Sequence, residues 1–457
     1  MNAPIVAVVG GGQLARMMQE EASALGIHVR ALVEASDGST AQVLPDSIVG
    51  SPHDPEAMAA LVDGADVLTF EHEHQNDEIL HDLASRGVKI HPRPETLLLA
   101  RDKYEMRQAM GAAGLPQPQW SVVRTRDDID KFAEHHGWPV ILKTARGGYD
   151  GRGVLLLDRS DTHTSSDSRT KENTGKLTVV DEWLAGDIPI LCEEAINFSS
   201  EIAVLIARRP SGAMAQWPAV ETRQVHGMCH TVIAPAPDLD EDTLRQAETI
   251  AQHIATTCDV TGVLAVEMFV LPRGQEREYV LSGSEDGSAP RTLVTRLLIN
   301  ELAMRPHNSG HWTQEGSATS QFAQHLRAVL DLPLGSTAMS VPAAVMVNYV
   351  GPAHAGLAPG SQIIASSDDA ASDVPGVVAP SEGALLAPCA GSDGGAEAYR
   401  QALDSDPQAF IHLYGKDVRT GRKLGHVNTL VDDAHPTLDE ALTSAQRVVD
   451  ALSGISQ

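Results

Sequence analysis

Between Lys143 and Gly153 the chain reads Lys-Thr-Ala-Arg-Gly-Gly-Tyr-Asp-Gly-Arg-Gly. Gly147, Gly148, Gly151 and Gly153 carry no Cβ, so the backbone can turn tightly and present bare N–H groups. Those amides, with Lys143, Arg146 and Arg152, make a concave cationic surface suited to phosphate oxygens. Asp150 interrupts the positive charge and suits an amine or a basic partner. A flexible hairpin tip is the plainer alternative, but a tip needs a turn glycine or two, not this set behind the apolar run Trp138–Lys143. Gly-x-x-x-x-Gly-Lys-Ser/Thr is absent, so the loop is not of the Walker type.

Glu267 and Glu301 each interrupt an apolar run, Val-Leu-Ala-Val-Glu-Met-Phe-Val and Leu-Leu-Ile-Asn-Glu-Leu-Ala. A lone carboxylate in a buried strand is costly unless it is paired or bound to a metal. Two on neighbouring strands, facing alike, would hold Mg²⁺ through oxygen, with Asn300 and Asn308 as neutral donors. A pair of edge-strand residues facing water is the alternative. Directly after them comes Arg305-Pro-His-Asn-Ser-Gly-His-Trp312. The His307/His311 spacing admits zinc on a helix face. Pro306, Asn308, Ser309 and Gly310 favour instead a turn that presents Arg305, His307 and Asn308 beside the carboxylates.

Three weaker signals remain. Gly10, Gly12 and Ala15 fit Gly-x-Gly-x-x-Gly/Ala between a strand and a helix, with Glu34 about 20 residues on, which alone favours a dinucleotide. Any phosphorylated ligand can use such a helix N-terminus. Glu71 and Glu73 share one face of a strand end, and His72 and His74 the other; substrate, metal or solvent all fit. From His412 to His426 the net acidic chain gathers Lys416, Arg419, Arg422 and Lys423, either a solvated basic tip or a clamp for substrate phosphate.

These residues need elements to hold them. Pro4–Gly10 is an apolar run of strand length. It is followed by a helix from Gln13 to Leu25 with Leu14, Met17, Met18, Ala22 and Leu25 on one face. Strands follow at His28–Val33, Asp66–Phe70 and Val88–His91, giving the opening of a doubly wound α/β domain that closes near residue 98. Leu97–Gly114 reads as one helix. Trp120–Val123, a helix from Asp127 to His136, Val140–Lys143 and Val154–Leu157 make a small mixed unit. Ile188–Glu194, Glu201–Ala207, Val263–Leu271, Leu297–Leu302 and Val341–Tyr349 read as strands, and Asp240–Thr257 and Gln321–Leu330 as helices. Asp158–Lys176 and Pro272–Thr292 are polar inserts, and Gly356–Glu397 is a loose Gly/Ala/Ser/Pro connector. The stretch from His412 to Val427 reads as a hairpin.

The whole is α/β, with α+β character in the central part. Domains are expected at 1–98, at 99–335 with a lid at about 119–193, and at 336–457, β-rich. Lys and Arg number 34 against 61 Asp and Glu, a net charge of −27. That field repels nucleic acid and anionic membranes, so neither is expected as a partner. Cys192, Cys229, Cys258 and Cys389 lack metal-ligand spacing and read as free thiols in a reducing cytosol. No apolar run approaches membrane-spanning length and no signal peptide is visible.

In order and motif, the chain resembles the ATP-grasp superfamily. Within it the chain is similar to the N5-carboxyaminoimidazole ribonucleotide synthetases. The resemblance rests on Gly10–Met17, Thr69–Glu73, Gly147–Gly153, Ile196–Ser199, Asn300–Ala303, Arg305–Thr313 and Gly421–Val427. It implies an ATP-grasp fold behind a Rossmann-like domain. The implied activity joins bicarbonate to the amine of aminoimidazole ribonucleotide, using ATP and Mg²⁺ through carboxyphosphate, in a homodimer. The implied nucleotide contacts are Lys103, Lys143, Gly148, Tyr149, Asp150, Gly151, Arg152, Gly153, Val154, Glu193, Glu194, Ala195, Ile196, Glu201, His226, Asn300 and Glu301. Glu267 and Glu301 would hold the metal. Gly12, Gln13, Leu14, Glu71, Glu73, Lys416, Arg422 and Lys423 would meet the substrate, and Asp150, Arg152, Arg305, His307 and Lys416 the transferring group. Lys103 stands where the family often has arginine, Met304 where proline is common and His74 where asparagine is frequent. Other ATP-grasp ligases, such as a formate-dependent ribonucleotide transformylase or a biotin-carboxylase-like enzyme, share the fold. An NAD-dependent oxidoreductase built on Gly10, Gly12 and Ala15, or a catalytically dead nucleotide-binding regulator, are the readings from other classes.

Overall fold

The computed structural model describes residues 3–147, 153–162, 170–225, 227–281, 290–351 and 394–454. Its first unit is a parallel sheet in the order Ser47–Val49, His28–Val33, Ile5–Val9, Val67–Phe70. Val6 to Val9 are buried without alternation, as in a parallel sheet covered on both faces. Helix Gln13–Leu25 buries Leu14, Ala15, Met17, Met18 and Ala22 and ends at Gly26, whose left-handed φ of 67° suits glycine.

Two expectations fail here for local reasons. Val88–His91 is no strand; it contributes one bridge, Leu68 to Ile90, because Pro92 and Pro94 have no N–H to extend a ladder. The single helix Leu97–Gly114 is two helices, Pro94–Arg101 and Lys103–Ala112. They break at Asp102, whose extended backbone and carboxylate cap the amides of Tyr104 and Glu105.

The lid sheet is antiparallel, ordered Trp120–Val123, Ile190–Glu194, Val140–Thr144, Val154–Leu157. Alternation sends Val140, Leu142, Ile190 and Cys192 into a core with Ile129, Phe132 and Val180. The same period turns Lys143 and Glu193 to the other face. The polar stretch Asp158–Lys176 is helical where described, at Arg159–Thr162 and from Thr170 into Thr170–Leu184. Its apolar anchors, Leu177, Val180 and Leu184, lie beyond the polar window.

The main sheet runs Leu297–Ala303, Gly262–Val270, Ser200–Arg208, Val220–Val225, Met228–Ala234, Ala344–Val350, Lys423–Leu430, Phe410–Leu413. Helix Glu241–Thr257 packs Ala247, Ile250, Ala251 and Ile254 into its core. Pro272–Thr292 is not merely polar insert. Its alternating ends pair as Arg277–Leu281 with Arg291–Thr295, anchored by Arg277 on Glu194 and by the Tyr279 hydroxyl on the carbonyl of Gln117. The basic hairpin is present, Phe410–Leu413 antiparallel to Lys423–Leu430. Through Ala344–Val350 it continues the main sheet, so residue 335 marks no break in hydrogen bonding. Helix Leu438–Leu452 went unread despite its capping box, Thr437 with Glu440. Most of the connector 356–397 lies outside the described residues, and its last residues open helix Gly394–Ser405.

His325 pins the first unit to the main sheet. Its Nδ1 accepts the Val263 amide at 3.1 Å and its Nε2 meets Thr69 Oγ1 at 2.9 Å. Burial pushes its pKa down to about 3.

Candidate active site

Lys143 lies next to the end of strand Val140–Thr144, which enters the glycine loop, and its ammonium lies 2.9 Å from Glu193 Oε2 and 3.2 Å from Asn300 Oδ1. Arg107, from helix Lys103–Ala112, grips the same carboxylate, Nε to Oε1 at 2.8 Å, and donates to the carbonyl of Ile299 at 2.9 Å. Burial alone would raise the Glu193 pKa. The charges and hydrogen bonds of Arg107 and Lys143 overcome it and bring the carboxyl down to about 2. Arg107 was missed in the sequence, although a cation beside the apolar positions Met106 and Met110 was the available sign.

The entrance to the loop is tied down. Lys103 donates its amide to the Ala145 carbonyl at 2.9 Å, and Arg146 pairs with Asp102 at 2.6 Å. Across the loop, Val154 pairs with Lys143, and the Gly153 carbonyl accepts the Thr144 amide. Gly148, Tyr149, Asp150, Gly151, Arg152 and His226 lie outside the described residues. Glu194 turns away from Glu193 to bind Arg277 and the Gln119 amide, so its side chain is committed to the scaffold. Ala195 and Ile196 form the link from the lid to strand Ser200–Arg208. Glu201, on that strand, has its pKa raised by burial, opposed by a hydrogen bond from Gln224 and by the charge of Lys143.

Glu267 and Glu301 stand opposite one another in the antiparallel register, next to a bulge at Glu267/Met268. Glu301 meets Lys103 at 2.7 Å, and Glu267 faces His307 Nε2 at 3.5 Å. Both carboxylates are part-exposed, 23% and 43%. The expected turn is there, a 3₁₀ turn Asn308–Gly310 that follows His307. Gln321 fixes His307 by both backbone groups, accepting its N–H and donating to its carbonyl, each at 2.8 Å. Asn308 does not join the carboxylates. Its amide pairs reciprocally with Asn348, at 3.0 and 2.7 Å.

Arg305 reaches Glu73, Nε to Oε2 at 2.9 Å. Burial raises the Glu73 pKa, and the stronger pull of Arg305 lowers it to about 2. His72, on the other side of that strand end, is pushed down to about 4 by burial. Glu71 takes the helix N-terminus for itself, accepting the amides of Gly12 and Leu14, with Gln13 between them opening the helix. A Cβ on Gly12 would lie 2.3 Å from Glu71 Oε1, so a larger residue there would have to displace that carboxylate. The dinucleotide reading loses its main support, because the amides it needs already hold a carboxylate. Lys416 comes to the same place from the far end of the chain, and its charge acts on Glu71. Arg422 stays beside that segment, its Nη1 donating to the Asp417 carbonyl at 3.5 Å. The Arg422 carbonyl accepts the Gly351 amide, and Lys423 opens the last strand of the hairpin, paired with Val350.

Family models match three stretches: the ribonucleotide synthetase preATP-grasp domain over residues 4–101, the ATP-grasp domain over 108–322, and the phosphoribosylaminoimidazole carboxylase C-terminal domain over 390–440. An N5-carboxyaminoimidazole ribonucleotide synthase of Mycobacterium tuberculosis is 40% identical over 443 residues, 97% of this chain and 87% of that one. The fold is similar to a carboxyaminoimidazole ribonucleotide synthase of Aspergillus clavatus solved with ATP, at TM-score 0.75 and 30% identity over 100% of both chains. A further structure from that organism, solved with ADP and 5-aminoimidazole ribonucleotide, matches at TM-score 0.74 and 28% identity, covering 99% of this chain and 100% of the other.

Proposed function

The chain belongs to the N5-carboxyaminoimidazole ribonucleotide synthase family, and from that premise we propose how its residues divide the reaction. It is an ATP-dependent ligase that carboxylates 5-aminoimidazole ribonucleotide in purine biosynthesis. Bicarbonate is the carbon source in this reading. Its oxygen attacks the γ-phosphorus of ATP and ADP leaves. The amine of the ribonucleotide then attacks the carbon of carboxyphosphate, and phosphate and a proton depart.

Lys143, Gly153, Val154 and the loop Gly148–Arg152 serve the ATP phosphates, and the link from Glu193 to Ile196, Glu201 and His226 serves the rest of the nucleotide. Lys143 reaches the site with its charge already aligned by Glu193 and Asn300, so it needs no reorganisation when phosphate arrives. Glu267 and Glu301 are proposed to hold Mg²⁺. Hard carboxylate oxygens across one register suit it, and among the described residues no group of three or more His, Cys, Asp or Glu makes a protein-only cage. Bound there, the ion would neutralise polyphosphate charge. Arg305 and His307 are proposed to orient bicarbonate or the departing phosphate. Gly12, Gln13, Leu14, Glu71, Glu73, Lys416, Arg422 and Lys423 are proposed to line the ribonucleotide side. Asp150 and Arg152 are assigned to the transferring group.

The division at 98 and 335 stays a proposal, as do a homodimer and a cytoplasmic setting. The family resemblance supports the dimer. The free thiols Cys192, Cys229 and Cys258 support a reducing compartment. Among the described residues no helix is long and apolar enough to cross a membrane.

One observation carries the catalytic reading: Glu267 opposite Glu301, with Lys103 on one and His307 on the other. Labelled bicarbonate with ATP, magnesium and aminoimidazole ribonucleotide tests it, with label expected in an acid-labile carbamate, one per ADP released. ATP use that needs formate instead would overturn it. Glu267→Gln and Glu301→Gln should each lower turnover by about 100-fold or more with unchanged denaturation midpoints. Near-normal turnover of both at saturating magnesium would remove the metal assignment.

A further inference from the structure

Lys416 lies on a loop whose course is set by the opposite end of the chain. Ser39 Oγ donates to the Tyr414 carbonyl at 2.6 Å, and Gln42 Nε2 donates to the Gly415 carbonyl at 2.7 Å. These are contacts across more than 370 residues. Arg16 braces both donors, bonding the Ser39 carbonyl at 2.9 Å and Gln42 Oε1 at 3.3 Å. Gly415 has a φ of +63°, and a Cβ there would lie 2.2 Å from Gln42 Oε1, so the close approach requires glycine. On the inner side Tyr414 is 1% exposed, and its hydroxyl meets His426 Nδ1 at 2.8 Å. His426 stacks on His311 at 4.7 Å between ring centroids, and His311 Nδ1 meets Gln321 Nε2 at 3.0 Å. Gln321 is the side chain that clamps His307. The two consecutive carbonyls just before Lys416 are therefore held from the first domain, while Tyr414 joins the loop to the turn bearing His307.

We propose that Ser39 and Gln42 are positioning residues: through the Tyr414 and Gly415 carbonyls they fix the course of the loop that carries Lys416, and so keep ATP consumption coupled to carboxylation of the ribonucleotide. This rests on the reading of Lys416 as a substrate-side residue. Neither Ser39 nor Gln42 touches the nucleotide-facing group of Lys143, Glu193 and Asn300. Freeing the loop loosens Lys416 while leaving the ATP half intact, so activated carboxyl is lost to water before the amine captures it.

The test uses the full chain with Ser39→Ala, Gln42→Ala and the conservative Ser39→Thr. Each variant is measured for KM of aminoimidazole ribonucleotide, ADP affinity by calorimetry, and ADP released per carbamate formed. Losing one such hydrogen bond should raise KM for the ribonucleotide by about three- to tenfold. ADP released should exceed product in the two alanine variants, ADP affinity should hold, and Ser39→Thr should restore coupling. Unchanged KM and coupling in both alanine variants would overturn the proposal. So would a parallel loss of ADP affinity and folding, which marks a merely structural contact. If Gln42→Ala does not fold, Ser39→Ala with Ser39→Thr still decides it. Failure of the underlying reading appears separately, as a wild-type chain that forms no carbamate.

Discussion

Glu193 and Glu71 are both buried carboxylates of the site, 2% and 7% exposed, yet their pKa values move in opposite directions. Glu193 faces two fixed cations, which overcome the cost of burial. Glu71 has burial as its largest influence, opposed by two backbone amides and the charge of Lys416, with Glu34 pushing the other way; the balance leaves it raised. The lid side is thus locked by charge before any ligand arrives. Glu71 is held by two neutral donors, so burial governs its ionisation and the charge of Lys416 only opposes it.

The sharpest way to break that contrast is Glu193→Gln. It leaves Arg107 and Lys143 buried without their counter-charge, and breaking a buried pair costs about 3–5 kcal/mol. Urea denaturation at pH 7 reads this directly; a loss under about 1 kcal/mol would show that Glu193 is no anchor.

Acid titration of stability sharpens it next. Glu193 and Glu73 fall from 4.5 to about 2 on folding. Their contribution is present above pH 4.5 and is lost as pH falls toward 2, each on the order of 3 kcal/mol at most. His325 and His72 fall from 6.5 to about 3 and about 4 and are held neutral, so they too favour folding at high pH and cost stability as pH drops below 6.5. Stability is expected to decline in two stages, one beginning near pH 6.5 and a steeper one below 4.5. Glu193→Gln should weaken the lower stage and spare the upper. An unchanged lower stage would contradict the charge-locked picture.

How much of this was legible depends on the range of each interaction. Gln13–Leu25 was readable because its apolar spacing, glycine start and glycine stop are local. That Glu267 and Glu301 lie on neighbouring strands was readable because each broke an apolar run of strand length. The break at Asp102 was not, since an Asp early in a helical pattern reads equally as interior or cap. Arg107 was missed because its partners, Glu193 and Ile299, lie far along the chain. The pairing of Asn308 with Asn348 was hidden for the same reason, since it depends on a strand 40 residues on. Ser39 and Gln42 carried no local sign at all.

A smaller effect separates the two cationic halves. Lys143→Ala removes a charge-assisted contact proposed for ATP phosphate, worth about 1.5–3 kcal/mol, and should weaken ADP binding by about 10- to 100-fold in calorimetry. Lys416→Ala should leave ADP affinity unchanged and depress carboxylation, with ADP released in excess of product. Equal loss of ADP affinity in both variants would merge the two regions into one nucleotide site.

The smallest effect is the most telling for Glu71. Because its folded pKa is raised, the ionised carboxylate is the disfavoured form in the folded chain. That cost is absent below the ordinary value of 4.5 and grows as pH rises toward the folded value. Glu71→Gln removes the cost. It also offers one acceptor oxygen to two donors, the amides of Gly12 and Leu14, and turns an amide group toward one of them, a penalty of about 1 kcal/mol. At pH 7 the gain and the loss oppose each other, so the net change should be smaller than for Glu193→Gln. Near pH 4 the gain disappears, because the wild-type carboxyl is then largely protonated, and the penalty stands alone. Glu71→Gln should therefore be more destabilising in acid than at neutrality, the reverse of the trend for Glu193→Gln. Paired urea titrations at the two pH values decide it. A Glu71→Gln loss at pH 7 as large as that of Glu193→Gln would mean that two amides hold a buried charge as firmly as two cations do, and the contrast between the halves would fall.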